Sequence, residues 1–452
     1  MDEIREILPI LQETIRQKDW RTANAMVADL HPPDALELIL EMDTSERVIV
    51  FRLLKKQTAA EVFTDLPPDQ QQILLELFTE KQTAELLEEM DPDDRAEVLD
   101  ELPAGVVKEL LKAISPAERE MTAKLLGYPE GSAGRIMTPE FLEVRPNMTA
   151  AEAIQYVRRV GPNKELIYIC YVISPHRKLK GTISLRELLF APPESKVSDI
   201  MTPNPIRVYT HDDQEEPANA AVKYDLLAVP VVDNEERLVG VITIDDLTDV
   251  LAEEASEDVY RMAGMEELSE SYFNTRAGTL FQRRVIWLLL LMVAQTISGG
   301  ILKYHEASLS AVVALVFFLP MLAGSAGNTA TQSAVLVIRG LAVGEIDLRA
   351  LWRVILRESG IGIALGVILG LVGGIIAYFF GNDPRLFVAV SIAFMLSIFT
   401  ANIVGAVLPM LFKRLGFDPA ITSGPAITTI LDITSLTIYF AVAQAVFNLS
   451  TA

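Results

Sequence analysis

Beyond residue 281 the chain is dominated by five apolar stretches, each long enough to cross a bilayer: roughly 285–302, 309–338, 354–380, 386–412 and 421–447. The bilayer core has no water to satisfy backbone groups, so these stretches are expected to be helices. Arg283 and Arg284 precede the first stretch, Arg339, Arg349, Arg353 and Arg357 surround the second connection, and Lys413 and Arg414 follow the fourth. The opposite connections hold Lys303 and Arg385. Positive residues stay on the cytoplasmic side, which predicts a cytoplasmic N-terminus and an external C-terminus. The odd number of spans agrees.

Asp432 sits inside the fifth stretch, about 15 Å from its start at the helical rise, near the bilayer midplane. An ionisable group there costs at least about 2.5 kcal/mol, so it is expected to face a polar path or a partner. The plainer alternative is a carboxylate hydrogen-bonded between helices. Asp432 is expected to be the only acid so deep. The second stretch carries Pro320 within Phe317-Phe-Leu-Pro-Met-Leu-Ala-Gly-Ser-Ala-Gly-Asn-Thr-Ala-Thr-Gln-Ser333, and the fifth carries Gly424-Pro425. Both are expected to interrupt their helices, and Pro409 to break the end of the fourth. Two interrupted helices beside a midplane acid point to a transport pathway.

Charge is distributed unevenly. Seven acids and ten bases follow Phe281, a net of +3, while residues 1–281 hold 54 acids and 29 bases, a net of −25. Such acidity argues against nucleic acid or anionic lipid as partners of the soluble part and suits it to cations. Cys170 is the single cysteine, so an intrachain disulfide is excluded. It lies in an apolar run, 166–173, that reads as a buried strand. The N-terminus is charged and amphipathic, unlike a signal peptide. The four histidines lack metal-ligand spacing.

Two repeats organise the soluble part. Leu30, Met42, Leu54, Leu66, Phe78, Met90, Leu102 and Ile114 recur every twelve residues. Most are followed by a helix start such as Pro67-Pro-Asp, Asp91-Pro-Asp-Asp or Ser115-Pro-Ala-Glu. Short stacked helices in a superhelix follow from that period. Further on, Ile136-Met-Thr-Pro139 recurs as Ile200-Met-Thr-Pro203, and Gly181-Thr-Ile-Ser-Leu-Arg-Glu-Leu188 as Gly240-Val-Ile-Thr-Ile-Asp-Asp-Leu247. This duplication resembles a tandem pair of CBS domains. The resemblance implies a nucleotide cleft that Arg186, Glu187 and Val208 would line, with ATP as the candidate ligand. A connector rich in acid comes next, with Asp246, Asp249, Glu253, Glu254, Glu257 and Asp258 at helical spacing. Like charges so spaced destabilise a helix, and either solvation or a divalent cation relieves them.

Taken together, the chain resembles the MgtE family of magnesium channels over nearly its whole length. The most specific matches are Pro320 to Ser333, Ser423-Gly-Pro425 and Leu431-Asp-Ile-Thr434. The resemblance implies a multidomain fold: an all-α superhelical N-domain (1–130), an α/β tandem CBS pair (131–250), a connecting plug helix (251–280) and a five-helix transmembrane pore domain (281–452). It implies a homodimer; the chain is expected to contact membrane lipid, and the acidic soluble half with no targeting segment suggests a bacterial inner membrane. Mg²⁺ is then both substrate and regulator. Asp432, with carbonyls near Gly424 and Thr428, would face the pore. This chain departs from the family pattern at Gly424 and Thr428, which bears on ion selectivity. Regulatory Mg²⁺ would be held by Asp91, Asp94, Glu215, Asp225, Asp246, Asp249, Glu254, Glu257 and Asp258, with Asp418 joining the connector, and would close the pore.

The main rival is a gradient-coupled secondary carrier for another divalent cation or solute, since interrupted helices and a midplane acid describe carriers too. An intramembrane aspartyl protease is the enzymatic rival. Leu-Asp-Ile-Thr lacks the glycines expected beside such a catalytic aspartate, so the chain is read as a transport protein and not as an enzyme. A membrane-anchored nucleotide sensor would leave Asp432 unexplained.

Overall fold

The computed structural model describes residues 2–100, 102–265, 275–421 and 424–448. Ser423 of the expected pore motif and part of the expected connector, 266–274, lie outside the described residues. The chain divides into two compact units, Met1–Ala252 and Glu253–Ala452.

The first unit opens with short helices between Asp2 and Leu125. The twelve-residue marks fall at the links between them. Met42, Leu54, Leu66, Met90, Leu102 and Ile114 are buried there, and Leu30 and Phe78 pack against the same core. Each link turns one apolar side chain inward. Pro32, Pro68, Pro92 and Pro116 then start the next helix, where a missing N–H breaks no intrahelical bond. Along most of the series a helix packs on the one two places along, which winds the helices into a superhelix around Leu38, Val62, Phe63 and Leu87.

The duplication forms two small sheets. Phe141–Val144, Leu166–Ile173, Leu179–Ser184 and Thr202–Pro203 make the first, and Val208–Tyr209, Ala228–Val232 and Leu238–Thr243 the second. In both, the first two strands are parallel and the next pair antiparallel. The Met-Thr-Pro segments are exchanged between copies: Thr202 and Pro203 pair with Thr182 and Gly181, and Thr138 pairs with Val241. The repeated glycines have a steric cause. A Cβ at Gly181 would stand 2.7 Å from Met201 Sδ, and one at Gly240 2.5 Å from Met137 Sδ. Each copy's glycine thus seats the other copy's methionine. Cys170 is buried in the first copy's core, as its strand context predicts.

In the second unit, five helices are long and apolar enough to cross a membrane: Ala277–Tyr304, Val313–Ala342, Leu348–Gly381, Pro384–Arg414 and Gly424–Phe447. Three sequence expectations need correction. The second span does break, but at Val312 and the 3₁₀ stretch Val313–Phe318. Pro320 then opens an unbroken helix, Leu319–Ala342, that carries the whole Gly/Ser/Thr cluster. Pro409 lies buried within a helix that continues to Arg414, packed beside Ala406 and Met410. Neighbouring spans hold a proline in place where a lone helix would end. Gly424 and Pro425 begin the last helix and do not interrupt it; proline fits the first turn.

Small residues let these helices approach closely, as expected where packing and not hydrophobicity joins helices in lipid. Gly362, Gly366, Gly370 and Gly374 form a four-residue stripe on the third span. A Cβ at Gly366 would stand 2.7 Å from the Met395 carbonyl oxygen, and one at Gly370 2.6 Å from that of Ser391.

Candidate metal centres

Asp93, Glu165 and Asp246 form a carboxylate cluster in the first unit, each offering an oxygen within 4.8 Å of the others. Asp93 belongs to the helix Pro92–Asp100, Glu165 directly precedes the strand Leu166–Ile173, and Asp246 lies in the first turn of Ile244–Met262. Asp93 is 7% exposed, and neither of its carboxylate oxygens has a hydrogen-bond partner. Burial first, then the charges of Glu165, Asp246 and Asp94, raise its affinity for a proton far above the usual carboxylate range. The same causes push Asp94 up to about 8, with burial foremost and Asp246 and Asp91 adding to it. Glu165 rises to about 8 through burial, opposed by a hydrogen bond from Thr138. Asp246 rises to about 6 through burial, opposed by the Thr243 hydroxyl that donates to its Oδ2. Buried carboxylates without counter-charge must take up protons or a cation. An all-oxygen, small and partly hydratable set suits a hard divalent ion.

Of the acids expected to hold regulatory Mg²⁺, Asp246 belongs to this cluster, and Asp94 lies within electrostatic reach of it. Asp91 lies within electrostatic reach of Asp245, and Asp249 within reach of Asp65. Glu215 and Asp225 stand at opposite ends of the helix Glu215–Tyr224. At the helical rise they are about 15 Å apart, too far to share one ion within a protomer. Asp225 closes that helix in a left-handed conformation, φ 52°, which aspartate tolerates. Asp93 and Glu165 were missed by sequence reasoning. The run Asp91-Pro-Asp-Asp shows its acids plainly, but which of them turns inward depends on tertiary packing, and nothing local marks Glu165.

The second unit holds the connector acids from Glu253 onward. Arg261 is ion-paired with both Glu257 and Asp418. Asp258 is held above the usual carboxylate range by burial, then by Asp418 and Glu254, with Arg261 opposing. Asp418 thus does join Glu254, Glu257 and Asp258, with an arginine among them that spacing did not reveal. The helix ending at Met262 also approaches the start of the last span: a Cβ at Gly424 would stand 3.9 Å from the Met262 carbonyl oxygen and 3.6 Å from Thr331 Cγ2.

Asp432 lies eight residues into the last span, about 12 Å from its start. Its carboxylate is half-exposed and accepts a hydrogen bond from Gln295 Nε2 at 2.8 Å. Thr428 donates its hydroxyl to the Pro425 carbonyl at 2.9 Å, and its methyl group packs where a Gly327 side chain would be. Asp432 is not the only acid at depth. Glu358 lies seven residues into Leu351–Gly381, about 10 Å from its start, and is 9% exposed. Its Oε2 accepts from Ser333 at 3.0 Å and from Asn402 at 2.7 Å. Glu358 is bound among three helices, whereas Asp432 keeps an open side.

Of the nucleotide candidates, Arg186 and Glu187 stand exposed at the start of the helix Leu185–Phe190. Glu187 accepts from the Ser184 backbone and hydroxyl in a capping box. Val208 is buried in the core of the second copy.

Comparison with known proteins agrees with this architecture. Family models match residues 319–442 as a divalent cation transporter, 30–131 as the MgtE intracellular N domain, and 133–194 and 197–253 as CBS domains. The magnesium transporter MgtE of Thermus thermophilus is 40% identical over 439 residues, spanning 96% of this chain and 97% of the relative. That of Bacillus subtilis is 37% identical, spanning 73% of this chain and 72% of the relative. A crystal structure of the cytosolic domain of the Mg²⁺ channel MgtE in complex with ATP superimposes with a TM-score of 0.52 at 38% identity, covering 53% of this chain and 98% of that one. The helical N-domain, the CBS pair and the five apolar helices thus belong to one known architecture, and the chain is a multi-pass membrane protein of the MgtE magnesium transporter family.

Proposed function

We propose that the chain is a homodimeric Mg²⁺ channel of a bacterial inner membrane, with its N-terminus in the cytoplasm and its C-terminus outside, closed by cytosolic Mg²⁺. The observation that carries conduction is Asp432: a half-exposed carboxylate at membrane depth, in a unit whose other deep acid is bound among neighbouring helices. Mg²⁺ gives up its water reluctantly. An outward-facing carboxylate from each protomer can hold the hydrated ion through those waters, with backbone carbonyls near Gly424 and Thr428 as further acceptors.

Closure follows from the acids of the soluble part and connector. Asp91, Asp93, Asp94, Glu165, Asp246 and Asp249 in the first unit, and Glu254, Glu257, Asp258 and Asp418 in the second, repel one another when cytosolic divalent ions are scarce. Glu215 and Asp225 act on separate ions. Bound Mg²⁺ offsets that repulsion and favours the compact, closed state. Several modest sites combine into a steep response, because each ion need only bind the closed state more tightly. ATP at the CBS cleft, near Arg186, Glu187 and Val208, would tune the same equilibrium; support comes from the ATP-bound cytosolic domain of the relative.

The test is Mg²⁺ flux in proteoliposomes under an imposed potential. A channel conducts without a proton or sodium gradient and closes as Mg²⁺ at the soluble face reaches the millimolar range. Flux that needs either gradient would favour a coupled carrier, and insensitivity to internal Mg²⁺ would remove the gate.

A further inference from the structure

We propose that Gln295 is a positioning residue for Asp432, fixing which carboxylate oxygen meets the hydrated divalent cation and thereby setting affinity and ion preference. The inference rests on the reading that Asp432 lies on the ion path. Gln295 is the only amide side chain between residues 285 and 302 of the first apolar stretch. An amide at this depth needs a partner, because lipid supplies none. Its partner is Asp432 Oδ2, 2.8 Å from Nε2 and on a different span. An ionised carboxylate only accepts, so the nitrogen, and not the oxygen, of the amide must face it.

The geometry divides the two carboxylate oxygens. Oδ2 is held from the first span, and among the described residues no donor reaches Oδ1. Oδ1 is thus left for the O–H groups of water, which is how a hydrated Mg²⁺ presents itself to a carboxylate. Within the protomer the first span is mostly exposed, with Ser298 buried and Ile301 and Leu302 packed against neighbouring spans. Glu358 shows the other outcome: two donors on one oxygen in a closed site. Charge-assisted bonds of the Gln295 kind are stronger than neutral ones. Without the bond, Asp432 turns among rotamers and the cation meets a less ordered ligand.

The experiment compares full-length wild type, Gln295→Leu, Gln295→Glu and Asp432→Asn in proteoliposomes, measuring Mg²⁺ flux against external concentration and the preference for Mg²⁺ over Ca²⁺. Gln295→Leu should raise the half-saturating Mg²⁺ about tenfold, the scale of one charge-assisted hydrogen bond. It should also narrow the preference while leaving maximal flux within about threefold. Gln295→Glu, which places a second carboxylate beside the first, should lower both the half-saturating concentration and the maximal flux. Half-saturation and preference unchanged in both variants, with flux abolished in Asp432→Asn, would overturn the positioning role alone. Unchanged flux in Asp432→Asn would instead overturn the underlying reading.

Discussion

The guanidinium of Arg261 is ion-paired with the carboxylate of Asp418, joining the end of the acidic helix Ile244–Met262 to the residues that lead into the last span. Glu257 shares the arginine, and Asp258 lies in the field of the same group. Arg261 therefore occupies the position in which a divalent ion would neutralise these acids. In the proposed mechanism it competes with regulatory Mg²⁺.

Replacing Arg261 with Gln removes that competitor. The pair is partly exposed, so the effect is modest: the Mg²⁺ concentration that halves flux should fall by about threefold, the scale of a partly screened charge pair. A dose–response curve of flux against internal Mg²⁺ checks this. An unmoved or raised midpoint would show that Arg261 is a structural tether and not a competitor.

Asp93 is buried without a partner on either oxygen. Asp93→Asn removes a buried carboxyl that must otherwise hold a proton or a cation. In EDTA at pH 8 the variant should resist proteolysis of its soluble part at least as well as wild type, by a margin of about 1–2 kcal/mol. Its gain in protection on adding Mg²⁺ should shrink by half or more. Full retention of the Mg²⁺-dependent protection would exclude Asp93 from the ion's surroundings.

The pH dependence follows from Asp94 and Glu165, both near 8, and Asp246 near 6. These acids bind protons more tightly folded than unfolded. Their contribution to stability is thus complete below about pH 4, the unfolded carboxylate range, and is lost as pH rises through 6 to 8. Without divalent ions the soluble part should loosen across that window. Mg²⁺ displaces the same protons, so its apparent affinity should rise with pH, and binding near pH 7 should release protons into weakly buffered solution. Mg²⁺ binding without proton release at pH 7 would contradict the assignment of the ion to this cluster.

Features written in short, local patterns were legible in the sequence. The twelve-residue period marks the links of the superhelix, and the Met-Thr-Pro and Gly-x-Ile repeats locate the two copies. The strand holding Cys170 and the five apolar helices follow from period and length. Tertiary relationships were not legible. Asp93 and Asp94 are adjacent, and only packing decides that Asp93 turns both carboxylate oxygens inward without a partner. Glu165 meets Asp246 across 81 residues, and Gln295 meets Asp432 across 137. Glu358 looks like an ordinary residue at a helix end until Ser333 and Asn402 close around it. Proline was overread as a break: Pro320 and Pro425 open helices, and Pro409 is carried within one.

In the proposed function Asp432 is the ligand of a conducted ion, and Mg²⁺ at the soluble face closes its path. The most direct test is Mg²⁺ flux into proteoliposomes for wild type and Asp432→Asn, each at low and at millimolar Mg²⁺ on the soluble face. Wild-type flux should be robust at low Mg²⁺ and strongly suppressed at high Mg²⁺, and Asp432→Asn should lose at least about a hundredfold of the low-Mg²⁺ flux, the scale of one charge at membrane depth. Flux of wild-type size through Asp432→Asn would contradict that function.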